Sequence, residues 1–312
     1  MMKIVFMGTP PFAVKILEKL VTAHEVVLVV TQPDQFNHRK KQFAFTPVKE
    51  WAIAHGLRVI QPEKIKTAAE IIQTAEPDLI VTAAYGQFIP SGILECPHFK
   101  SINVHGSLLP KYRGGAPIQR AIIEGCSQTG ISIIRMTAKM DAGEILAQKP
   151  IPITDADNQG TIFEKLGDLG AEMILPVITE LEEGTIFGCP QDEKGVSFAP
   201  NLKKEDERLD FNQNALAIFN RIRGLNPNPG AYFQLDGINI KVYNSIVSKE
   251  RTVNQPGRVV AINKDSFSIS CGENTVISIL EVQLPAGKKM AVRDFLNGRG
   301  KSMIAINKEI GI

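Results

Sequence analysis

An α/β fold, a doubly wound (Rossmann-like) parallel sheet followed by a smaller OB-like β-barrel, is the architecture this sequence predicts. Three observations predict it. Short apolar runs alternate with amphipathic segments through the first 125 of 312 residues. The run Glu25 to Val30 (EVVLVV) is continuous, as a strand buried on both faces requires. From Ala231 onward the rhythm changes to short apolar-polar runs broken by Gly, Pro and Asn, the pattern of a small barrel or sandwich.

Each element follows in order. Lys3 to Met7 is a β-type run that ends at Gly8-Thr9-Pro10-Pro11, and Phe12 to Val21 has helical spacing. Pro47 to His55 reads as a helix because Pro47 suits the first helical position and Thr46 can cap it. Arg58 to Ile60 is a short strand, Lys64 to Ala75 a helix, Asp78 to Ala83 a buried strand, Ser101 to His105 another, and Ala116 to Glu124 a helix. Gly130 to Met136 and Glu144 to Ile153 read as two antiparallel strands. Thr161 to Glu182 is a long helical stretch with a bend or break expected near Pro176. Asn212 to Arg223 is helical, and the runs YFQL, INIKVYN, GRVVAIN, SFSISC and TVISILEVQ are strands. Three regions result: an α/β domain over residues 1–188, a linker over 189–205 and the β-barrel over 206–312.

Composition bounds the function class. The hydrophobic fraction is 44% and the charged fraction 22%, ordinary for a soluble globular protein. No apolar stretch approaches a membrane span or a signal peptide, which predicts a cytoplasmic protein. Cys96, Cys126, Cys189 and Cys271 are scattered, so neither a zinc site nor a disulfide framework is expected. The net charge of +2 is unevenly spread. Residues 201–312 carry 16 Lys and Arg against 11 Asp and Glu, which leaves 19 against 22 for residues 1–200. A basic C-terminal part permits nucleic-acid contact without requiring it.

Chemistry concentrates in a few segments. The Gly8-Thr9-Pro10-Pro11 turn sits where doubly wound sheets bind ligands, but it lacks a dinucleotide fingerprint; a plain tight turn and a binding role both stay open. The segment INVHGSLLP places Asn103 and His105 two residues apart on one strand, hence on one face. An amide and an imidazole side by side suit acyl chemistry: both can donate to a developing oxyanion, and the imidazole can move a proton. Either residue alone would be read as structural. The next stretch, Lys111 to Pro117, is basic and glycine-rich. Asp141 in KMDAGE is an ordinary turn acid unless the fold carries it to His105, and spacing leaves both readings open.

These residues carry a resemblance. SINVHGSLLPKYRGGAPIQRAI followed by GISIIRMTAKMDAGEIL closely resembles the folate-dependent formyltransferases. KIVFMGTPPFAV, PDLIVTAAYGQFIP, KKEDERLDF, RGLNPNPGAYF and PAGKKMAVRDFLNGRG resemble the branch that acts on methionyl-tRNA, so the likeness covers nearly the whole chain. It implies an enzyme with the catalytic set Asn103, His105 and Asp141, and 10-formyltetrahydrofolate as formyl donor without a metal. Ser107, Leu108, Leu109 and Pro110 would line the folate pocket, with backbone contacts from Tyr85, Gly86, Gln87, Phe88 and Ile89 and from the turn after Lys139. The implied acceptor is initiator methionyl-tRNA, with no DNA or membrane partner and a monomeric chain.

Two basic regions would hold the tRNA. The loop from Asp34 to Thr46 sets Arg39, Lys40 and Lys41 among Phe36, Phe43 and Phe45. Read bare it is a solvated loop; the family has a basic insertion here that reaches the tRNA acceptor end. Lys288, Lys289, Arg293, Arg299 and Lys301 are the phosphate-contact candidates of the C-terminal part.

Overall fold

The computed structural model describes residues 1–37 and 42–311, so Arg39, Lys40 and Lys41 lie outside the described residues. Two compact units interleave along the chain. The first takes residues 1–117, 128–152 and 163–200; the second takes 118–127, 153–162 and 201–312.

In the first unit, β1 (Lys3–Gly8), α1 (Pro11–Leu20) and β2 (Glu25–Val30) come where the apolar runs place them. β3 (Gln35–Asn37) then pairs antiparallel with β4 (Gln42–Ala44), where the sequence reads as loop. Next are α2 (Pro47–Ala54), β5 (Val59–Ile60), α3 (Ala69–Thr74), β6 (Leu79–Ala83), α4 (Ser91–Leu94) and β7 (Ser101–His105). Thr46 caps α2, its hydroxyl accepting from the Lys49 amide at 3.2 Å. The helix expected over 64–75 opens as a 3-10 turn at Ile65–Ala68 before α3.

After α5 (Pro117–Ile123) come β8 (Gln128–Arg135), β9 (Ile145–Pro152) and α6 (Gln159–Glu183). Pro176 does not break α6. It lies on the exposed side of the helix, where water can satisfy the carbonyl that it leaves without a donor.

The main sheet runs β5-β2-β1-β6-β7-β8-β9. Its first five strands are parallel, and β8 and β9 extend it antiparallel. One face packs on Val5, Met7, Leu28, Val30, Ile65, Ile72 and Ile80. Against the other face, α6 approaches closely because residue 170 is glycine: a Cβ there would stand 3.1 Å from Val104 and 3.4 Å from Ile16. Val104 therefore faces α1 and α6, and strand alternation sends Asn103 and His105 to the opposite side.

The second unit contains α7 (Ala215–Gly224), β10 (Ala231–Leu235), β11 (Ile238–Val247), β12 (Val259–Ile262), β13 (Phe267–Ser270), β14 (Val276–Gln283), β15 (Met290–Ala291), α8 (Val292–Asn297) and α9 (Gly300–Met303). The β10–β11 hairpin turns on Asp236-Gly237, with φ of 48° and 77°, the pair of positive values that a two-residue turn demands. The antiparallel order is β10-β11-β14-β13-β12, with β15 added on β14. Of the expected barrel, the pairing delivers an antiparallel sheet: among the described residues no ladder joins β12 to β10. Phe233, Phe267, Phe295, Ile240, Val242 and Ile279 fill its core, each contributing on the order of 2 kcal/mol by burial.

Arg223, largely buried, ties the 153–162 segment to α7. It donates to the Thr154 carbonyl at 2.6 Å and to Asn220 Oδ1 at 2.9 Å. Arg120 on α5 pairs with Asp206 at 2.9 Å in the same way.

Candidate active site

β7 places Asn103 beside Thr82 of β6 in parallel register. The Thr82 hydroxyl donates to Asn103 Oδ1 at 2.7 Å, which turns the amide nitrogen outward. That nitrogen lies 3.5 Å from Asp141 Oδ1, a long contact that leaves it free to donate elsewhere. Two residues on, His105 is buried, with Nε2 at 3.0 Å from the Tyr112 carbonyl. A carbonyl only accepts, so Nε2 carries hydrogen. Its Nδ1 faces Asp141 Oδ2 at 3.7 Å.

Asp141 therefore reaches His105, the contact that spacing left open. Its turn joins β8 to β9, and its own φ is 47°. The Asp141 Oδ2 atom also accepts from the Gly114 amide at 2.9 Å. Gly114 has φ of 126°, and a Cβ there would lie 2.7 Å from the Ala199 carbonyl oxygen, so only glycine fits. An amide donor, an imidazole and a carboxylate thus meet at one point. The set can stabilise negative charge on an oxygen and move a proton.

The pocket candidates divide. Ser107 and Leu109 are buried: the Ser107 hydroxyl donates to the Lys111 carbonyl at 2.7 Å, and the Leu109 amide donates to Ser132 Oγ at 3.1 Å. Leu108 and Pro110 are half-buried. Tyr85 and Ile89 sit in the core under the sheet, and burial pushes the Tyr85 phenol up to about 12. The Gln87 amide accepts from Ile65 N at 2.8 Å and donates to the Pro62 carbonyl at 3.2 Å. Gly86 has φ of 95°, and Phe88 is exposed. With three side chains committed inward, this segment presents mainly peptide groups and Phe88.

In the second unit Lys288, Lys289, Arg293, Arg299 and Lys301 are all exposed. Lys288 and Lys289 precede β15, Arg293 is on α8, and Arg299 and Lys301 lie at the start of α9. Lys289 Nζ stands 3.5 Å from the centre of the Tyr243 ring.

Sequence reasoning missed the support of the site. Arg113, in the basic, glycine-rich stretch, is buried. Residues 189–199 read as linker, yet they run along the catalytic loops. Ile145 and Cys189 exchange two backbone bonds of 2.8 Å, Arg113 and Ala199 are joined at 2.7 Å, and the Tyr112 amide donates to Ser197 Oγ at 3.0 Å. Irregular backbone has no periodicity to read, and the glycine demand at Gly114 was the one local signal.

Residues 2–178 match the family described as "Formyl transferase", and residues 201–300 match "Formyl transferase, C-terminal domain". A methionyl-tRNA formyltransferase of Enterococcus faecalis is 48% identical over 312 residues, 99% of each chain. That of Levilactobacillus brevis is 47% identical over 302 residues, 96% of each chain. The chain belongs to the methionyl-tRNA formyltransferase family. Two solved structures share the fold of this formyltransferase. An N-formyltransferase from Helicobacter canadensis has a TM-score of 0.68 at 18% identity, covering 89% of this chain and 99% of that one. A HypX variant from Aquifex aeolicus also scores 0.68 at 18% identity; 97% of this chain matches, spanning half of that longer one. Among the described residues of the formyltransferase, no helix is long and apolar enough to cross a membrane, and no group of three or more His, Cys, Asp or Glu side chains is placed to hold a metal ion.

Proposed function

We propose that this formyltransferase moves the formyl group of 10-formyltetrahydrofolate to the α-amino group of methionine on initiator tRNA, in the cytoplasm and as a monomer. The observation that carries the reading is the meeting of Asn103, His105 and Asp141, with Nδ1 of His105 3.7 Å from the Asp141 carboxylate. The tRNA acceptor is supported by the full-length likeness to methionyl-tRNA formyltransferases.

In this reading the neutral methionine nitrogen bonds to the formyl carbon, and the bond from that carbon to N10 of the folate breaks. Asn103 Nδ2 donates to the formyl oxygen as its charge grows, joined by His105 Nδ1–H once the imidazole has taken the amine's proton, each such donor being worth about 10²–10³ in rate. The proton lost by the amine must end on N10. Asp141 and His105 carry it, directly or through a bridging water. Peptide groups of the 85–90 segment and the half-buried Leu108 and Pro110 suit the polar edge and flat face of the folate. Residues 1–188, braced by the 189–199 segment that runs along the catalytic loops, do the chemistry, and residues 206–312 hold the tRNA with Lys288, Lys289, Arg293, Arg299 and Lys301.

The test is formyl transfer from 10-formyltetrahydrofolate to charged initiator tRNA, charged elongator tRNA and free methionine. Strong preference for initiator methionyl-tRNA is expected. Equal, poor use of all three would move the acceptor to a small-molecule amine.

A further inference from the structure

Arg113 and Gln191 form a relay that ends on the Asp141 turn. The Arg113 guanidinium is 1% exposed. It donates from Nε at 3.0 Å and from Nη2 at 2.8 Å to one atom, Gln191 Oε1. The same Nη2 meets Glu193 at 3.2 Å. On its other side, Gln191 Nε2 donates to the Asp141 and Gly143 carbonyls, both at 2.8 Å. The two neighbourhoods fix which end of the amide is which: a guanidinium requires the oxygen, and two carbonyls require the nitrogen. All four polar interactions of the side chain are therefore assigned by chemistry.

The turn that Gln191 grips needs holding. Asp141 has φ of 47°, a left-handed value that costs a non-glycine residue energy. Gly143 is packed so closely that a Cβ would stand 1.8 Å from the Arg135 carbonyl oxygen. Gln191 holds Asp141 by its backbone carbonyl, and the Asp141 carboxylate faces Gly114, Asn103 and His105.

We propose that Gln191 is a positioning residue for formyl transfer: oriented by the buried Arg113, its amide holds the 141–143 turn so that the Asp141 carboxylate faces His105. The proposal rests on the formyl-transfer reading of the site. A displacement of about 1 Å at a reacting group can cost about 10² in rate, so an effect on kcat follows from loss of the grip alone.

Two variants separate the grip from plain satisfaction of Arg113. Gln191→Glu keeps an acceptor for the guanidinium but replaces both donors with acceptors. Gln191→Met removes donors and acceptor together. Both should lose at least tenfold in kcat, with KM for 10-formyltetrahydrofolate and for methionyl-tRNA within twofold, and Gln191→Glu should melt close to the wild type. Wild-type kcat in Gln191→Glu beside an impaired Gln191→Met would overturn the proposal, because Gln191 would then serve Arg113 only. Equal rises in KM with an unchanged kcat would overturn it as well. Hydrogen exchange over residues 138–144, measured without substrates, reads the grip independently of turnover. Faster exchange in Gln191→Glu supports it, and an unchanged rate overturns it. If the wild type transfers no formyl group in the same assay, the reaction reading fails, while the exchange result still decides the grip.

Discussion

The Asp141 carboxylate faces His105 Nδ1 at 3.7 Å while its Oδ2 atom accepts from the Gly114 amide at 2.9 Å. The first distance is too long for a direct hydrogen bond and the second is not. Asp141 is thus anchored by backbone and poised toward the imidazole. Catalytic hydrogen bonds are often long before substrate arrives. Asp141→Asn keeps an acceptor for Gly114 and tolerates the left-handed backbone, but removes the charge. It should lower kcat by about 10²–10⁴ with little loss of stability, as His105→Ala should. Steady-state rates beside thermal melts check this, and near-normal turnover in either variant removes that residue from the mechanism.

Asn103 tests charge separately from position. Its Nδ2 lies 3.5 Å from Asp141 Oδ1, and its Oδ1 accepts from Thr82. Asn103→Asp keeps the Thr82 bond and puts a second carboxylate beside the first. Loss of the donor alone should cost about 10²–10³ in kcat. The added like charge should make Asn103→Asp worse than Asn103→Ala at neutral pH. Wild-type kcat in Asn103→Ala would show that Asn103 does not donate at the reacting centre, and equal rates in the two variants would show that the added charge is not felt there.

Much of the site is legible in the chain itself. Asn103 and His105 share a face because strand side chains repeat every two residues, and a five-residue strand leaves little freedom in that inference. The parallel strands show themselves as β-branched runs for the same local reason. Asp141 is different: its approach to His105 depends on how β8 and β9 pack beside β7, and no local period encodes that. Arg113 stands in a basic, glycine-rich stretch whose pattern carries no sign of burial, and it is buried where Gln191 and Glu193 come to it from 78 and 80 residues away. In the C-terminal unit, hairpin signals such as Asp236-Gly237 mark the strands. Whether β12 meets β10 is a question of sheet curvature, which a strand pattern does not carry.

Gly114 meets the 189–199 segment at Ala199. At φ of 126° with the Ala199 oxygen 2.7 Å from an added Cβ, Gly114→Ala must shift backbone. The cost is on the order of 1–3 kcal/mol of strain, and the Asp141 Oδ2 partner moves with it. Lower melting temperature and lower kcat should appear together. Gly56→Ala is the control, since its φ is also positive, 71°, with nothing within 4 Å of the added Cβ. A Gly114→Ala protein as stable as Gly56→Ala would disprove the steric account.

Through its carboxylate, Glu193 ties the 189–199 segment to Arg113 and Lys139. Hydrogen bonds from Arg113, then from Lys139, hold its carboxyl below the ordinary glutamate value, about 4.3. A depressed folded-state pKa contributes stability that is complete above the unfolded value and is lost as pH falls through the folded one. The wild type should therefore outmelt Glu193→Gln above about pH 5, and the difference should vanish in more acid solution. Melting curves of both proteins from neutral to acid pH check the sign; a gap that widens on acidification would refute it.

The salt dependence of tRNA use separates the two basic regions. Removing one phosphate-neutralising charge should flatten the slope of log affinity against log salt by about 0.7–0.9. Lys288, Lys289, Arg293, Arg299 and Lys301 are exposed, and among the described residues none of them has a carboxylate partner, Lys289 lying instead against the Tyr243 ring. Replacing all five with alanine should weaken methionyl-tRNA binding and flatten the slope, without changing turnover of a minimal acceptor that lacks the tRNA body. Replacing Arg39, Lys40 and Lys41 should do the same for contacts at the acceptor end, and should also raise KM for short acceptor-stem substrates. If both variants keep the wild-type slope, neither region meets the backbone, and the basic surplus of residues 201–312 is ordinary solvated surface. If only the 39–41 variant changes, the acceptor end alone is held by charge, and the C-terminal unit must grip the tRNA by shape.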